Sequence, residues 1–198
     1  MITLIALISV SAPVQAADEE FIRVTQPLLT VSEDNVAVVE ANVQVTLSPV
    51  LVDAVKRGVP LYFISEFELS KKRWYWFDAK PISQNKTVRL SYHAITQQFR
   101  VTLGGLFQAV FPTLDEALAA AIRLPGWTIV ENSDAATQTV IKELRKSPES
   151  YEPRLRVRLD SAQLPKPLQV NALTNRDWNL SSDWIRPKLI IEPMGATQ

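Results

Sequence analysis

The chain of 198 residues carries 21 Lys or Arg against 21 Asp or Glu, so its net charge is zero near neutrality. That excludes a general nucleic-acid binder, which needs a basic surface to neutralise phosphates, and gives no drive toward anionic lipid. The absence of cysteine excludes a disulfide scaffold, thiol chemistry, thiolate metal sites and a cysteine-borne lipid anchor.

In chain order, the first element is a targeting segment. Residues 2–12 are apolar or small, and Val14-Gln15-Ala16 is the small-x-small pattern that signal peptidase cleaves after. The run is too short to cross a bilayer as a helix. No Lys or Arg precedes it. Residues 1–16 are therefore expected to be a cleaved signal peptide, and residues 17–198 a single β-rich periplasmic domain with a frayed C-terminal tail. This length is enough for one domain with a proper core.

Strands follow. Residues 21–31 are β-rich but interrupted by Pro27, which predicts an edge or bulged strand, and the turn SEDN covers 32–35. In 36–47, Val39, Ala41, Val43, Val45 and Leu47 share one face, and Glu40, Asn42, Gln44 and Thr46 the other. A short helix is predicted from Ser48 as cap, Pro49 at its first position and Gly58 past its end. In 59–70, Leu61, Phe63, Phe67 and Leu69 alternate with Tyr62, Glu66 and Glu68. Two more strands place Val88, Leu90 and Tyr92, then Phe99, Val101 and Leu103, on one side. Gly104-Gly105 reads as a turn or bulge, not a phosphate loop.

The second half adds helices. Thr113 and Glu116 form a capping box for a helix that Pro125-Gly126 is expected to end, with Leu114, Leu118, Ala121 and Ile122 inward. After a short strand at 127–131, residues 133–148 form an amphipathic helix with Val140, Ile141 and Leu144 inward. Residues 153–160 return to strand, and 164–173 read as extended and proline-limited. Residues 176–191 close the chain as a strand pair or a docked extension. The expected fold is mainly β (α+β), an antiparallel β-sandwich-like sheet with about three short helices at one edge or face.

Two surfaces stand out. In KKRWYWFDAKP (71–81), Trp74 and Trp76 share one strand face and Tyr75 and Phe77 the other. The leading reading is a central strand between two layers. The alternative is an exposed stacking platform for sugar or peptide; a membrane-interface belt is a third reading, without amphipathic helices beside it. The second surface is the stripe Arg154, Arg156 and Arg158. It reads either as a solvated face with cross-strand Glu or Asp partners, or as a patch for a partner's carboxylates or phosphates. Catalytic support is thin. The one histidine, His93, ends a predicted strand, no G-x-S-x-G occurs, and Glu66 and Glu68 fit a polar strand face.

Gly58-Val59-Pro60-Leu61, Leu90-Ser91-Tyr92, Leu164-Pro165-Lys166-Pro167-Leu168-Gln169 and the closing Trp178 and Trp184 occur in an order that resembles an uncharacterised proteobacterial family of exported proteins with a domain-of-unknown-function label. The likeness spans roughly residues 21–191. It implies a signal-bearing protein, often encoded beside a two-component sensor kinase of the nitrogen-regulation type, and supplies no catalytic residues. The expected function is a non-enzymatic periplasmic interaction protein acting on an envelope or membrane-bound signalling partner. The alternative is a glycan- or peptide-binding module using Trp74 and Trp76, with a hydrolase based on Glu66, Glu68 or His93 third. No cofactor, metal or nucleic-acid partner is expected.

Overall fold

The period-two alternation builds two sheets that share one apolar core. The computed structural model describes residues 22–72, 79–105, 107–131 and 133–193. The strands are β1 (Ile22–Val31), β2 (Ala37–Val45), β3 (Leu61–Lys71), β4 (Ala79–His93), β5 (Gln98–Leu103), β6 (Phe107–Phe111), β7 (Leu124–Val130), β8 (Tyr151–Leu159) and β9 (Lys188–Ile191). One sheet has the order β7-β2-β1-β9 and the other β6-β5-β4-β3-β8. All pairings between these strands are antiparallel except β1 with β9, which run parallel. The expected mainly β, α+β, sandwich-like architecture is the one observed.

Pro27 acts as expected of a strand-interrupting proline. Gln26 and Pro27 together oppose Ala41, and Gln26 has φ of +50°. The extra residue reverses the parity of the strand, so Ile22 and Val24 face the core before it and Leu29 and Val31 after it.

The four α-helices among the described residues are α1 (Pro49–Lys56), α2 (Leu114–Ile122), α3 (Ala135–Lys146) and α4 (Lys166–Thr174). Ser48 caps α1: its Oγ accepts from the Leu51 N–H at 3.3 Å and donates to the Asp177 carbonyl at 3.2 Å. Gly58, at φ +90°, supplies the left-handed residue after the helix end. Thr113 Oγ1 accepts from the Glu116 N–H at the start of α2. This helix packs against β2 in one sheet and β4 and β5 in the other, burying Ala117, Leu118, Ala121 and Ile122. It stops at Arg123, and Pro125-Gly126 falls inside β7.

On α3, Ile141 and Leu144 are buried. Arg145 donates from Nε to Asn35 Oδ1 (2.8 Å), from Nη1 to the Glu192 carbonyl (2.7 Å) and from Nη2 to the Ser32 carbonyl. One guanidinium thus holds the β1–β2 turn and the C-terminal segment together.

Beyond the end of α2, other parts of the chain also differ from the sequence expectation. Residues 166–174 are helical, not extended, because Pro167 falls in the first turn, where a missing N–H costs nothing. Leu164 and Ala172 are buried and Leu168 packs beside them, one apolar residue per turn. The strand β6 follows the Gly104-Gly105 turn, in which both glycines have positive φ. Leu103, expected inside, is 36% exposed at that end of the sheet.

Candidate functional site

The outer face of the five-stranded sheet carries its charge. Leu155, Val157 and Leu159 point into the core, which turns Arg154, Arg156 and Arg158 outward. The register sets Glu68 opposite Arg154, Glu66 opposite Arg156 and Ile64 opposite Arg158. Glu66 Oε2 accepts from Arg156 Nε at 2.8 Å and Nη2 at 2.5 Å, while Oε1 accepts from Arg158 Nε at 3.0 Å. Arg158 Nη1 also reaches Asp160 Oδ1 at 3.3 Å. Arg154 Nη2 donates to Glu68 Oε2 at 3.2 Å and to Ser70 Oγ at 3.5 Å. Arg154 Nε is buried without a hydrogen-bond partner.

This ladder is half-buried rather than freely solvated. The three arginine side chains are 37%, 30% and 29% exposed, and Glu66 and Glu68 14% each. The cover comes from the C-terminal segment. It runs antiparallel along the outer edge of β8, with the Leu159 N–H to the Leu180 carbonyl (2.8 Å), the Ser182 N–H to the Val157 carbonyl (2.9 Å), and a mutual pair between Leu155 and Ile185 (2.8 and 2.9 Å). Between Ser182 and Ile185 two residues, Asp183 and Trp184, oppose the single Arg156. The bulge re-aims a side chain, as bulges do. The Trp184 ring centroid lies 4.4 Å from the Arg156 guanidinium carbon and 5.5 Å from that of Arg154. Further along the face, Arg89 sits 6.0 Å from the centre of the Tyr62 ring.

The catalytic candidates do not converge. Both carboxylates, Glu66 and Glu68, are engaged by arginines. His93 ends the same β4 strand that places Asn85 opposite Glu66. Eight residues of strand separate His93 from that row, about 27 Å. His93 Nδ1 instead accepts from the Thr96 backbone N–H at 3.3 Å, with Thr96 Oγ1 at 3.1 Å, closing the β4–β5 turn. Among the described residues no group of three or more His, Cys, Asp or Glu could hold a metal ion. Trp74 and Trp76 lie outside the described residues, between Lys71 and Ala79, the last pair of the β3–β4 hairpin.

A second polar cluster closes the other end of β8. Lys71 Nζ lies 2.7 Å from Glu143 Oε2, and Tyr151 OH donates to the same oxygen at 2.8 Å. Lys71 also stands 5.4 Å from the Tyr151 ring centre. The hydrogen bond to Glu143 raises the Lys71 pKa above its ordinary value, and the one from Lys71 lowers that of Glu143. Burial, then the bond to Glu143, raises Tyr151. On β4, Lys86 lies opposite Ser65, on the side of Val88 and Leu90; desolvation lowers its pKa. The sequence showed Glu66, Glu68 and the arginines but not their pairing, and nothing in it tied Trp184 to them.

The model of one protein family, a domain of unknown function (DUF4390), matches residues 20–187. No curated protein and no solved structure matches the chain. Among the described residues no helix is long and apolar enough to cross a membrane.

Proposed function

The chain belongs to the DUF4390 family, and we propose that it is a non-enzymatic interaction protein, exported to the periplasm, whose contact face is the arginine ladder under Trp184. The carrying observation is the Arg156 guanidinium held between Glu66 and the Trp184 ring, with Arg158 fixed by the other Glu66 oxygen and Arg154 under the edge of the same ring. Tryptophan and arginine are the side chains most enriched at binding hot spots, and fixed ones lose little entropy on association. A guanidinium offers five N–H donors in a planar fork, more than the ion pairs with Glu66, Glu68 and Asp160 use, which suits an incoming carboxylate. The partner of this reading is an envelope or membrane protein that presents acidic side chains. Export is supported by the apolar segment and small-x-small pattern of residues 1–16. The likeness to exported proteins encoded beside a nitrogen-regulation-type sensor kinase supports a signalling partner.

The test is site-specific photo-crosslinking in cells. The crosslinker is placed at Asn85 or Thr87, exposed on β4 opposite Glu66 and Ile64, and at Gln44 on the other sheet as control. A discrete membrane-protein adduct from the first two positions and not from Gln44 is expected. Equal labelling from all three, or none from any, overturns the proposal.

A further inference from the structure

The four-stranded sheet is broken at one place from both sides. On one flank of β2, Gln26 and Pro27 oppose Ala41. On the other, Gly126 is the extra residue between the pairs Val39–Trp127 and Glu40–Pro125. Neither Pro27 nor Pro125 has an N–H to donate into the ladder. Bulges of this kind recur beside functional sites, because they open a sheet and turn side chains off its regular rows.

Here they open a cavity of about 420 Å³ lined by Gln26, Leu28, Glu40, Asn42, Arg123 and Leu124, among others. That volume falls within the roughly 300–1,000 Å³ usual for small-ligand clefts. Its apolar surface comes from Leu28, Ala41, Leu124 and Pro125, and its polar groups are two amides, one carboxylate and one guanidinium. The amides are already ordered: Asn42 Nδ2 donates to Gln26 Oε1 at 3.1 Å. Gly126 supplies the φ of +128° that this bulge needs, and the Glu40 carboxylate lies beside it, with Oε1 3.7 Å from where a Cβ would stand.

The two charges are the informative part. Glu40 and Arg123 line the same cavity, yet among the described residues neither forms an ion pair or a side-chain hydrogen bond. Opposite charges kept apart in one cleft suit a ligand that carries both signs itself. We infer that this cavity binds a small zwitterion, a free amino acid or the free ends of a short peptide, with Glu40 taking the ammonium group and Arg123 the carboxylate. Gln26 and Asn42 would hydrogen-bond the amide or carboxylate between them, and the apolar floor would take a small side chain. The site lies on the sheet opposite the arginine ladder and does not depend on it.

Amide chemical shifts of the protein are followed while L-alanine, L-alanyl-L-alanine, and the N-acetylated and C-amidated dipeptides are added. Saturable shifts at Gln26, Asn42 and Leu124 with the free dipeptide or free alanine are expected, and the better of the two identifies the source. Blocking either terminus should weaken binding at least tenfold. Glu40→Gln should abolish the preference for a free amine, and Arg123→Gln that for a free carboxylate. Both side chains are exposed, so the variants should keep the wild-type shift pattern elsewhere. No shift at these residues with about 10 mM of any probe, beyond the millimolar range of weak small-ligand sites, overturns the inference. So does binding that is indifferent to both variants and to both blocking groups.

Discussion

Trp184 stands over Arg156, its ring centroid 4.4 Å from the guanidinium carbon, and it reaches that position as the extra residue of a bulge. The ring both shields the charge and attracts it through its quadrupole. Trp184→Ala should therefore lower stability by about 1–2 kcal/mol. Trp184→Phe should recover part of that loss. Urea unfolding curves check it; an Ala variant with the wild-type midpoint would show that the ring merely rests there.

Glu66 serves two arginines, one with each oxygen. Glu66→Gln leaves Arg156 without its carboxylate and Arg158 with Asp160 alone. The expected cost is about 1–3 kcal/mol, limited by the water that reaches the arginine heads. Glu66→Gln combined with Arg156→Met should cost less than the sum of the single changes. Additivity in that double-mutant cycle would refute coupling between the two side chains.

The Lys71–Glu143–Tyr151 cluster predicts sensitivity at both ends of the pH range. Glu143 is held below its usual 4.5 in the folded protein, so its contribution is present above that value and fades as pH falls through the folded pKa. Lys71 and Tyr151 are raised above 10.5 and 10.0, so theirs is present below those values and fades as pH rises through the folded ones. Glu143→Gln should lower stability by a constant amount between these limits, and flatten both the acid and the alkaline decline. Melting temperatures across pH decide this; identical declines in variant and wild type would count against the clamp.

Lys86 has its pKa lowered by burial from 10.5. The folded protein therefore disfavours the charged form, and the penalty lifts as pH rises from the folded value toward 10.5. Lys86→Met should stabilise the protein at neutral pH by about half a kcal/mol, after allowance for the solvent on its open side. The gain should vanish near pH 10.5. A destabilised Met variant would mean that the ammonium group has a use in the fold.

Much of the scaffold is written locally. Strand parity in 36–47, 61–69 and 153–160 placed inward and outward residues correctly, because burial on one face of a pleat imposes period two. The caps at Ser48 and Thr113 were readable because one side chain satisfies one nearby N–H. The helix at 166–174 was hidden by two prolines, although Leu164, Leu168 and Ala172 carry a four-residue spacing. The ladder was half legible. Glu66, Glu68 and the three arginines are conspicuous, but Glu66 and Arg158 are 92 residues apart, and only the strand register decides that they meet. A bulge opposite Arg156 leaves no trace in the residues around Trp184. Trp74 and Trp76 remain a sequence expectation.

The first described strand of one sheet finds its parallel neighbour in the last, Leu28 opposite Lys188 through Val31 opposite Ile191, and the segment just before β9 seals the outer edge of β8 in the other sheet. The first and last described strands thus work as a clasp. A chain leaving a ribosome N-terminus first can form its internal hairpins early, since those contacts are local, but the clasp must wait for distant residues to meet. Until Ile191 has emerged, β1 lacks its parallel neighbour, β8 keeps an open edge, and the arginines have no ring above them.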